Sequence, residues 1–402
     1  MKKKKAKVYV LKYINKPILI LSLFLAVLGA FLILDASSIS SQLTYGYDTP
    51  YYFFNKQLIF IAIALVGSAI VIKYPTYLYK GTSLILSVIF IATLFVVYLK
   101  NELFSSSVSV VTLSLFGGRF QPAEFLKVFL VMYMGAYYGS WANKKEHGKY
   151  TFVVPLILCA ISAILILLGG DFGSAAIMVA LYALVFINVP SKEKIVNYIK
   201  VVAVMGLILA IFVLKFSYLI LPEETLKSNY RLNRFIYTNP CDRYEEDSGY
   251  QVCNGYIAID NGGLFGVGPG KSVQKYLYLP ASHTDFIFPI VVEELGTLFG
   301  VAIIIMYMVL IFLIFKVATS CVKLQNSIIC YGIAIYIMLH IFVNLGGVLG
   351  VIPLTGVPLP FLSYGGSFCI SVICSCAIVQ RIHIENEIEK RNLVEKGWFI
   401  WN

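Results

Sequence analysis

The stretch from residue 283 to residue 285 reads His-Thr-Asp and stands at the start of a long apolar segment. An imidazole beside a carboxylate brings together two groups that transfer protons. Asp285 is therefore the candidate catalytic residue. The alternative is structural: Thr284 or Asp285 would cap the helix that follows, a role worth about 1 kcal/mol.

Basic residues predicted on the same side of the molecule would give this site its charge. They are Arg119, Arg231, Arg234, Lys271 and Lys275, with His283 next to the carboxylate. Guanidinium and ammonium groups bind phosphate oxygens through charge-assisted hydrogen bonds. With one carboxylate among them, they favour an anionic, phosphate-bearing ligand and a single proton transfer.

Several charged residues fall inside or at the edge of apolar segments: Glu124, Lys127, Asp171, Lys215, Glu293 and Glu294. A charge in a bilayer costs several kcal/mol unless it is paired or hydrated, so each is a functional candidate. Glu124 and Lys127 are three residues apart and share a helix face. They either bind the ligand or form ion pairs, with each other or with Glu293 or Glu294, that join helices. Asp171 is expected to cap a helix.

The composition places these residues in a membrane protein. Of the 402 residues, 59% are hydrophobic and 13% are charged, against about 25% charged in a soluble domain. The apolar segments approach the roughly 20 residues that cross a bilayer. They predict one all-α, polytopic membrane domain over 1–402 with about ten transmembrane helices, at 17–34, 57–73, 81–98, 122–139, 151–168, 174–190, 199–221, 285–315, 327–350 and 361–379.

The distribution of Lys and Arg sets the predicted orientation, because short cytoplasmic loops are rich in both. With the N-terminus inside, the short outer loops carry Lys56, Lys100 and Arg119. The remaining outer basic residues lie in one long extracytoplasmic loop, 222–284. The basic segment 1–16 and the tail 380–402 are therefore predicted in the cytoplasm. Topology explains the charge of +11, so no nucleic-acid partner is needed.

The long loop is expected to be ordered. Its stretch GYIAIDNGGLFGVGPG predicts a short helix followed by a glycine-bent loop. Cys241 and Cys253 lie outside the predicted spans, twelve positions apart. They predict a disulfide that would contribute roughly 3 kcal/mol by limiting the unfolded chain.

A second irregular stretch, IPLTGVPLPFLSYGGSF at 352–368, is dense in proline and glycine at membrane depth. Broken backbone is tolerated there only when it is buried in protein or lines a wet cavity. The stretch predicts a re-entrant turn beside a polar cavity, with Ser363 as a candidate ligand-binding residue. A plain loop leading into the last span is the alternative. His340, in an apolar run, is expected to be a packing histidine.

Three motifs resemble the SEDS family, the FtsW, RodA and SpoVE group of bacterial membrane proteins. They are QPAEFLK at 121–127, GGLFGVGPGKSVQKYLYLPASHTDFIFPIVVEELG at 262–296 and PLTGVPLPFLSYGGS at 353–367. The similarity runs over the whole chain, and GKSVQK and PLTGVPLPF look more like the FtsW/SpoVE branch than RodA.

The resemblance implies a peptidoglycan glycosyltransferase of the bacterial cytoplasmic membrane, with Asp285 as its base. Such an enzyme polymerises lipid II at the outer face, inverts the anomeric carbon and releases undecaprenyl pyrophosphate. The implied partners are a class B penicillin-binding protein and other membrane proteins of division or elongation. The resemblance is compatible with one cofactor, a divalent cation, either Mg or Mn.

Two positions depart from the family pattern, and two other functions stay open. Thr112 falls near a usual tryptophan, and Ala281 stands where members carry an acidic residue. Both changes bear on the level of activity. A transporter that flips lipid-linked precursors could use Glu293, Glu294 and Lys127 as coupling groups. A non-catalytic scaffold that recruits a transpeptidase is the third function.

Overall fold

The structure is a computed structural model that describes residues 12–103, 113–115, 118–142, 151–220, 239–245, 247–276, 278–280 and 282–395. Within these ranges the helices are α1 (Lys16–Leu43), α2 (Tyr52–Lys73), α3 (Tyr79–Leu103), α4 (Pro122–Ala142), α5 (Val154–Leu168), α6 (Phe172–Ile187), α7 (Lys194–Ile220), α8 (Asp247–Gly262), α9 (Ile287–Leu295), α10 (Thr297–Ser320), α11 (Leu324–Val348) and α12 (Gly366–Glu395). Short 3₁₀ helices cover Thr76–Leu78, Thr151–Val153 and Pro240–Arg243.

The helices have the length and surface of membrane spans. Among the described residues, six helices are long and apolar enough to cross a bilayer, namely α1, α2, α3 with the turn before it, α10, α11 and α12. The helices α5 and α6 are apolar but shorter. Large side chains such as Ile20, Val66 and Phe312 are 64–66% exposed, as expected for side chains that face lipid. A helix also satisfies its own backbone hydrogen bonds, which lipid requires. The chain is a multi-pass membrane protein.

One predicted span is wrong. The apolar segment 285–315 is divided into α9 and α10 by Gly296, whose φ of 86° is left-handed. A Cβ at this position would lie 2.3 Å from the Leu264 carbonyl oxygen, so the break brings two stretches of backbone into direct contact. The division ends α9 after nine residues and turns the chain into α10.

The last predicted span differs in its bounds. The structure starts α12 at Gly366 and continues it to Glu395, so the helix includes most of the segment predicted as a tail. The extra turns carry charged side chains at helical spacing. Arg381 pairs with Glu385 and Lys390 pairs with Glu387, and such pairs stabilise a helix by about 0.2–0.5 kcal/mol each.

The all-α class is confirmed, with one short exception in the described residues. A short antiparallel hairpin is present, in which β1 (Leu113–Leu115) pairs with β2 (Gly118–Phe120). Arg119 is opposite Ser114 in its register. The hairpin leads directly into α4, so it sets where that helix begins.

The first and last helices meet at one end of the bundle. The backbone N–H of Asn15 donates to the Gln380 side chain, and the Gln380 amide donates back to the Asn15 carbonyl, both at 2.9 Å. At the same end, Val322 donates to Asn386 at 2.8 Å. The start of α1 and the middle of α12 are therefore level with each other.

The opposite end, here called the loop end, is where the C-terminal part of α1, the segment before α9 and residues 349–365 meet. The predicted short helix is confirmed as α8, and the glycine loop (residues 263–275) follows it. This loop is bound to α9: Val267 and Gly268 donate to the carbonyls of Glu293 and Glu294 at 2.9 and 3.0 Å. Cys241 and Cys253 are disulfide-bonded, as predicted.

Candidate active site

Residues 282–285, the SHTD segment, are held by hydrogen bonds along their backbone. The His283 carbonyl accepts from the Tyr364 backbone N–H at 2.9 Å. The Thr284 carbonyl accepts from the Ser363 hydroxyl at 2.5 Å. Both donors belong to residues 349–365, the proline-rich turn, so this turn fixes the segment that carries the candidate base.

Two further bonds hold the ends of the same segment. Asn344 of α11 donates one amide hydrogen to the Asp285 carbonyl and the other to the Val357 carbonyl, each at 2.8 Å. The Ser282 hydroxyl donates to the Ala36 carbonyl of α1 at 3.1 Å. The four residues of the segment are thus tied to three parts of the protein: α1, the proline-rich turn and α11.

The proline-rich turn is irregular and buried, as the sequence predicts. Leu359, Phe361 and Leu362 are no more than 2% exposed, and the φ of Phe361 is 65°. Its backbone groups find partners, because the Leu359 N–H donates to the Ser363 side chain at 2.8 Å and the Tyr307 hydroxyl donates to the Pro360 carbonyl. The irregular backbone is therefore buried with these polar groups paired, and it supports the SHTD segment through the hydrogen bonds from Ser363 and Tyr364.

Asp285 lies just before α9 and is partly exposed. The Thr284 hydroxyl donates to Asp285 Oδ1 at 2.7 Å, which orients the carboxylate. The capping alternative is wrong about the cap position: Phe286 occupies it, and its side chain makes no capping hydrogen bond. A carboxylate that is oriented and accessible suits proton transfer.

The His283 ring is enclosed by aromatic rings. Its centroid is 4.4 Å from that of Phe53, 5.8 Å from that of Tyr364 and 5.9 Å from that of Tyr45. Burial lowers the pKa of His283 to about 4, because an apolar enclosure disfavours the imidazolium. The ring is neutral at pH 7 and adds no positive charge to the site. Its predicted contact with the ligand stays a prediction.

Lys275 is part of an ion-pair cluster. Its ammonium is 2.6 Å from Glu294 Oε1 and 2.9 Å from Asp35 Oδ1, and the side chain is 3% exposed. Burial alone would lower the pKa of Lys275, but hydrogen bonds and attraction to Glu294 and Asp35 outweigh it and raise the pKa above its usual value. The cluster joins the glycine loop to α1 and α9. The exposed Lys271 of the same loop is open to solvent.

Glu293 and Glu294 both bind the glycine loop. Glu293 accepts from the Val273 and Gln274 backbone at 3.2 and 3.3 Å, and Glu294 accepts from the Gly270 backbone at 2.9 Å. They were alternative partners for Lys127 in the sequence-based prediction, and that alternative is wrong. The two carboxylates accept hydrogen bonds from backbone N–H groups of the loop, which has no regular helix or strand to pair them.

Glu124 and Lys127 pair with each other in the interior of the bundle. Lys127 Nζ is 2.8 Å from Glu124 Oε1, and the two side chains are 0% and 1% exposed. Lys127 Nζ also lies 3.3 Å from His340 Nε2. Since an ammonium only donates, His340 Nε2 accepts and the imidazole proton resides on Nδ1. His340 is therefore a hydrogen-bonded histidine of the core, as predicted, and a partner of this pair.

Asp171 caps α6, as predicted. Its Oδ1 accepts from the Ser174 backbone at 2.9 Å, and its Oδ2 accepts from the Gln121 side chain at 3.0 Å. The Gln121 backbone donates to the Ser367 hydroxyl at 2.9 Å. The starts of α4, α6 and α12 are thereby joined at the loop end.

Several predictions fall outside the described residues. These are Arg231, Arg234, Thr112 and Ala281, and the side chains of Arg119 and Lys215. Their roles stay predictions. Among the described residues, no group of three or more His, Cys, Asp or Glu side chains could hold a metal, and the divalent cation stays a prediction. We derive no step through a metal ion.

Sequence reasoning missed Asn344 and Asp35. The signal for Asn344 was available, since it follows His340 by four residues and therefore shares its helix face. Asp35 carried no such signal, because its partner Lys275 is 240 residues away in sequence.

The fold and the site define a class: a multi-pass membrane protein with a carboxylate on a rigid segment at one end of the bundle and an ion pair buried in its interior. Comparisons with known proteins narrow the class. A sequence profile of the FtsW/RodA/SpoVE family, described as cell cycle proteins, matches residues 16–388. The chain belongs to this family.

Named relatives agree with this assignment. The chain is 32% identical to a probable peptidoglycan glycosyltransferase FtsW of Bacillus subtilis, over 92% of this chain and 91% of the relative. It is 26% identical to the stage V sporulation protein E of the same organism, over 91% and 95%.

Solved structures share the fold. A chain from a peptidoglycan synthase complex, studied for its coordination of polymerization and crosslinking, matches with a TM-score of 0.64 and 20% identity. The match covers 93% of this chain and 98% of that one. The rod shape determining protein RodA of Thermus thermophilus matches with a TM-score of 0.58 and 20% identity, over 93% and 97%.

Proposed function

We propose that this protein is a peptidoglycan glycosyltransferase that polymerises lipid II into glycan strands, with Asp285 as the general base. Family membership and the names of the relatives support the activity. The observation that carries the role of Asp285 is the SHTD segment, whose three carbonyls at 283–285 each accept a hydrogen bond from the proline-rich turn or α11. A base held in a fixed position is what an oriented displacement requires.

The proposed reaction is an inverting displacement. Asp285 accepts the proton of the incoming GlcNAc 4-hydroxyl. At the same time the oxygen of that hydroxyl forms a bond to the anomeric carbon of the growing strand. The bond between that carbon and the pyrophosphate oxygen breaks, and undecaprenyl pyrophosphate leaves with the electron pair. Basic residues stabilise the leaving group; the candidates are Arg119, Arg231, Arg234 and Lys271. Lys275 keeps a smaller role in this proposal, because Glu294 and Asp35 already neutralise it.

The buried residues of the proposal act behind the reacting groups. We assign Glu124 and Lys127 to the interior behind the site, where both side chains are no more than 1% exposed and their ion pair adds no net charge. Ser363 supports the SHTD segment through the Thr284 carbonyl. His283 contributes a neutral ring enclosed by Phe53 and Tyr364.

We also propose the orientation that the basic residues predict: ten spans in one membrane domain, both termini in the cytoplasm, and the loop end at the outer face of the bacterial cytoplasmic membrane. The hydrogen bonds between Asn15 and Gln380 support this arrangement, because they put the start of the first helix and the middle of the last helix at the same end of the bundle. The expected partner is a class B penicillin-binding protein, since a structural relative belongs to a peptidoglycan synthase complex. Other membrane proteins of cell division or elongation are expected to bind to the complex of this protein and the penicillin-binding protein.

The decisive experiment is the Asp285→Asn variant, purified with its partner and incubated with lipid II. Asparagine is similar in size but takes no proton at neutral pH, and general-base catalysis is worth about 10²–10⁴-fold. We expect folded, partner-binding protein without glycan strands. Polymer formation near the wild-type rate would remove Asp285 from the mechanism.

The other functions receive less support. A transporter would use Glu293, Glu294 and Lys127 as coupling groups, but the first two bind the glycine loop and the third is paired with Glu124. A scaffold would bind the partner and leave lipid II unchanged. The same assay with wild-type protein distinguishes the scaffold, and lipid II transport by Asp285→Asn would favour the transporter.

A further inference from the structure

We infer that Asn344 is a positioning residue for the reaction: it fixes the backbone of Asp285 relative to the proline-rich turn. This inference rests on the proposed function of Asp285. Asn344 belongs to α11 and is 59 positions from residue 285 in sequence. It touches neither reacting group in the proposal and acts through the backbone of the base.

The geometry identifies Asn344 as a bridge. Its two amide hydrogens go to two different segments, one to the Asp285 carbonyl and one to the Val357 carbonyl, each at 2.8 Å. The amide orientation follows from the network, because a flipped side chain would direct its oxygen at two other carbonyl oxygens. A single side chain thus links the segment of the base, the proline-rich turn and α11.

The burial of Asn344 argues against a role in stability alone. The residue is 3% exposed, and its Oδ1 has no hydrogen-bond partner. A buried carbonyl oxygen without a partner is unfavourable for stability, so stability alone would favour an apolar side chain of similar size here. What the amide supplies is direction, since it holds two carbonyls at set distances from one helix.

The helix behind Asn344 is itself anchored. His340 lies one turn before Asn344 on the same face, and its Nε2 contacts Lys127 in the ion pair with Glu124. The Asn344 side chain is therefore mounted on a helix whose neighbouring turn is tied to α4. The base receives a fixed backbone position from the interior of the bundle.

Loss of the bridge would act on turnover more than on substrate binding. Misplacement of a reacting group by about 1 Å costs up to 10²-fold in rate. We expect Asn344→Leu, which keeps the approximate size and removes both donors, to lower kcat about 10–100-fold with KM unchanged. Asn344→Gln keeps an amide donor and is expected to recover part of the rate.

The matched control is Asn326→Leu on the same helix. Asn326 is 2% exposed and its Oδ1 also lacks a partner. It is 18 residues from Asn344, about 27 Å along a helix of 1.5 Å rise per residue. A general effect of replacing a buried asparagine in α11 would appear in both variants, whereas a positioning effect appears only at Asn344.

The experiment measures initial rates of strand formation from lipid II, per folded molecule, with folded protein counted by size-exclusion chromatography. A lower kcat for Asn344→Leu, with Asn326→Leu near wild type and Asp285→Asn inactive, supports the inference. Wild-type kcat in Asn344→Leu, while Asp285→Asn is inactive, overturns it and leaves the proposed function intact. Polymer formation by Asp285→Asn overturns the proposed function instead.

A second variant covers a failure to fold. If Asn344→Leu yields no folded protein, the positioning role is tested with Asn344→Ser. Serine keeps one hydrogen-bond donor and reaches one of the two carbonyls at most. A kcat below wild type at unchanged KM supports the inference. A kcat equal to wild type overturns it.

Discussion

Lys127 and Glu124 form an ion pair of 2.8 Å in which neither side chain is more than 1% exposed. Removing one partner leaves an uncompensated charge, which costs about 3–5 kcal/mol in a buried pair. Glu124→Gln should therefore lower the thermal unfolding temperature in detergent more than it lowers turnover per folded molecule. The control is Glu389→Gln, which breaks the exposed pair with Lys323. Normal folding of Glu124→Gln with complete loss of turnover would assign Glu124 to the reaction itself.

Removing both charges should be less harmful than removing one. The double variant Glu124→Gln, Lys127→Met leaves no unpaired charge, and replacing a buried pair by neutral groups is often neutral for stability. We expect its unfolding temperature to lie above that of Glu124→Gln. A double variant less stable than both single variants would mean that the charges stabilise the bundle through other contacts.

The neutral ring of His283 predicts a dependence of stability on pH. Its pKa is about 4 in the folded protein against 6.5 in an exposed histidine, so the unfolded chain binds more protons between these values. Stability from this residue is full above pH 6.5 and falls as the pH drops towards 4, by roughly 3 kcal/mol at 1.36 kcal/mol per pKa unit. His283→Phe should unfold with a shallower pH dependence in this range. Equal slopes for the two proteins would contradict the burial of a neutral imidazole.

The cluster around Lys275 predicts a local weakness. Lys275→Met leaves Glu294 buried without its cation, and we expect a loss of about 3 kcal/mol, the lower end of the range for buried pairs, because Asp35 is partly exposed. The glycine loop should then be cleaved faster by protease added to the purified protein. Lys271→Met, on the exposed lysine of the same loop, is the control for stability. Equal cleavage rates in the two variants would show that the cluster does not hold the loop.

The disulfide between Cys241 and Cys253 joins the 3₁₀ helix Pro240–Arg243 to α8. In the chain-entropy model, closing a loop of this size contributes roughly 3 kcal/mol. The double variant Cys241→Ser, Cys253→Ser should lower the unfolding temperature. Mass spectrometry of unreduced peptides from native membranes should find the crosslinked peptide, and two free thiols would contradict the pairing.

The sequence predicted those features that depend on local chemistry. Apolar length indicated the helices, and spacing put Glu124 beside Lys127. Proline and glycine density indicated an irregular turn at 352–368, which the structure has at 349–365. The Asp171 cap was also predictable, because a capping residue bonds only to the turn that follows it.

Features that depend on distant parts of the chain were not predictable. Whether Lys275 would face the ligand or be paired depended on Asp35, at the far end of the first helix. The break at Gly296 depended on the close approach of the Leu264 backbone. The hydropathy of the sequence does not fall at this position, so it gave no sign of the break. The neutral state of His283 depended on Phe53 and Tyr364, which come from two other elements.

The order in which the ribosome delivers the site follows from the bond between Ser363 and Thr284. The two residues are 79 positions apart, so at 5–20 residues per second the support arrives about 4 to 16 s after the base. During that interval the SHTD segment is already synthesised but lacks the hydrogen bond from the proline-rich turn to Thr284. A nascent chain therefore acquires its glycan-forming geometry only in the last stage of its synthesis, after most of its helices have been made.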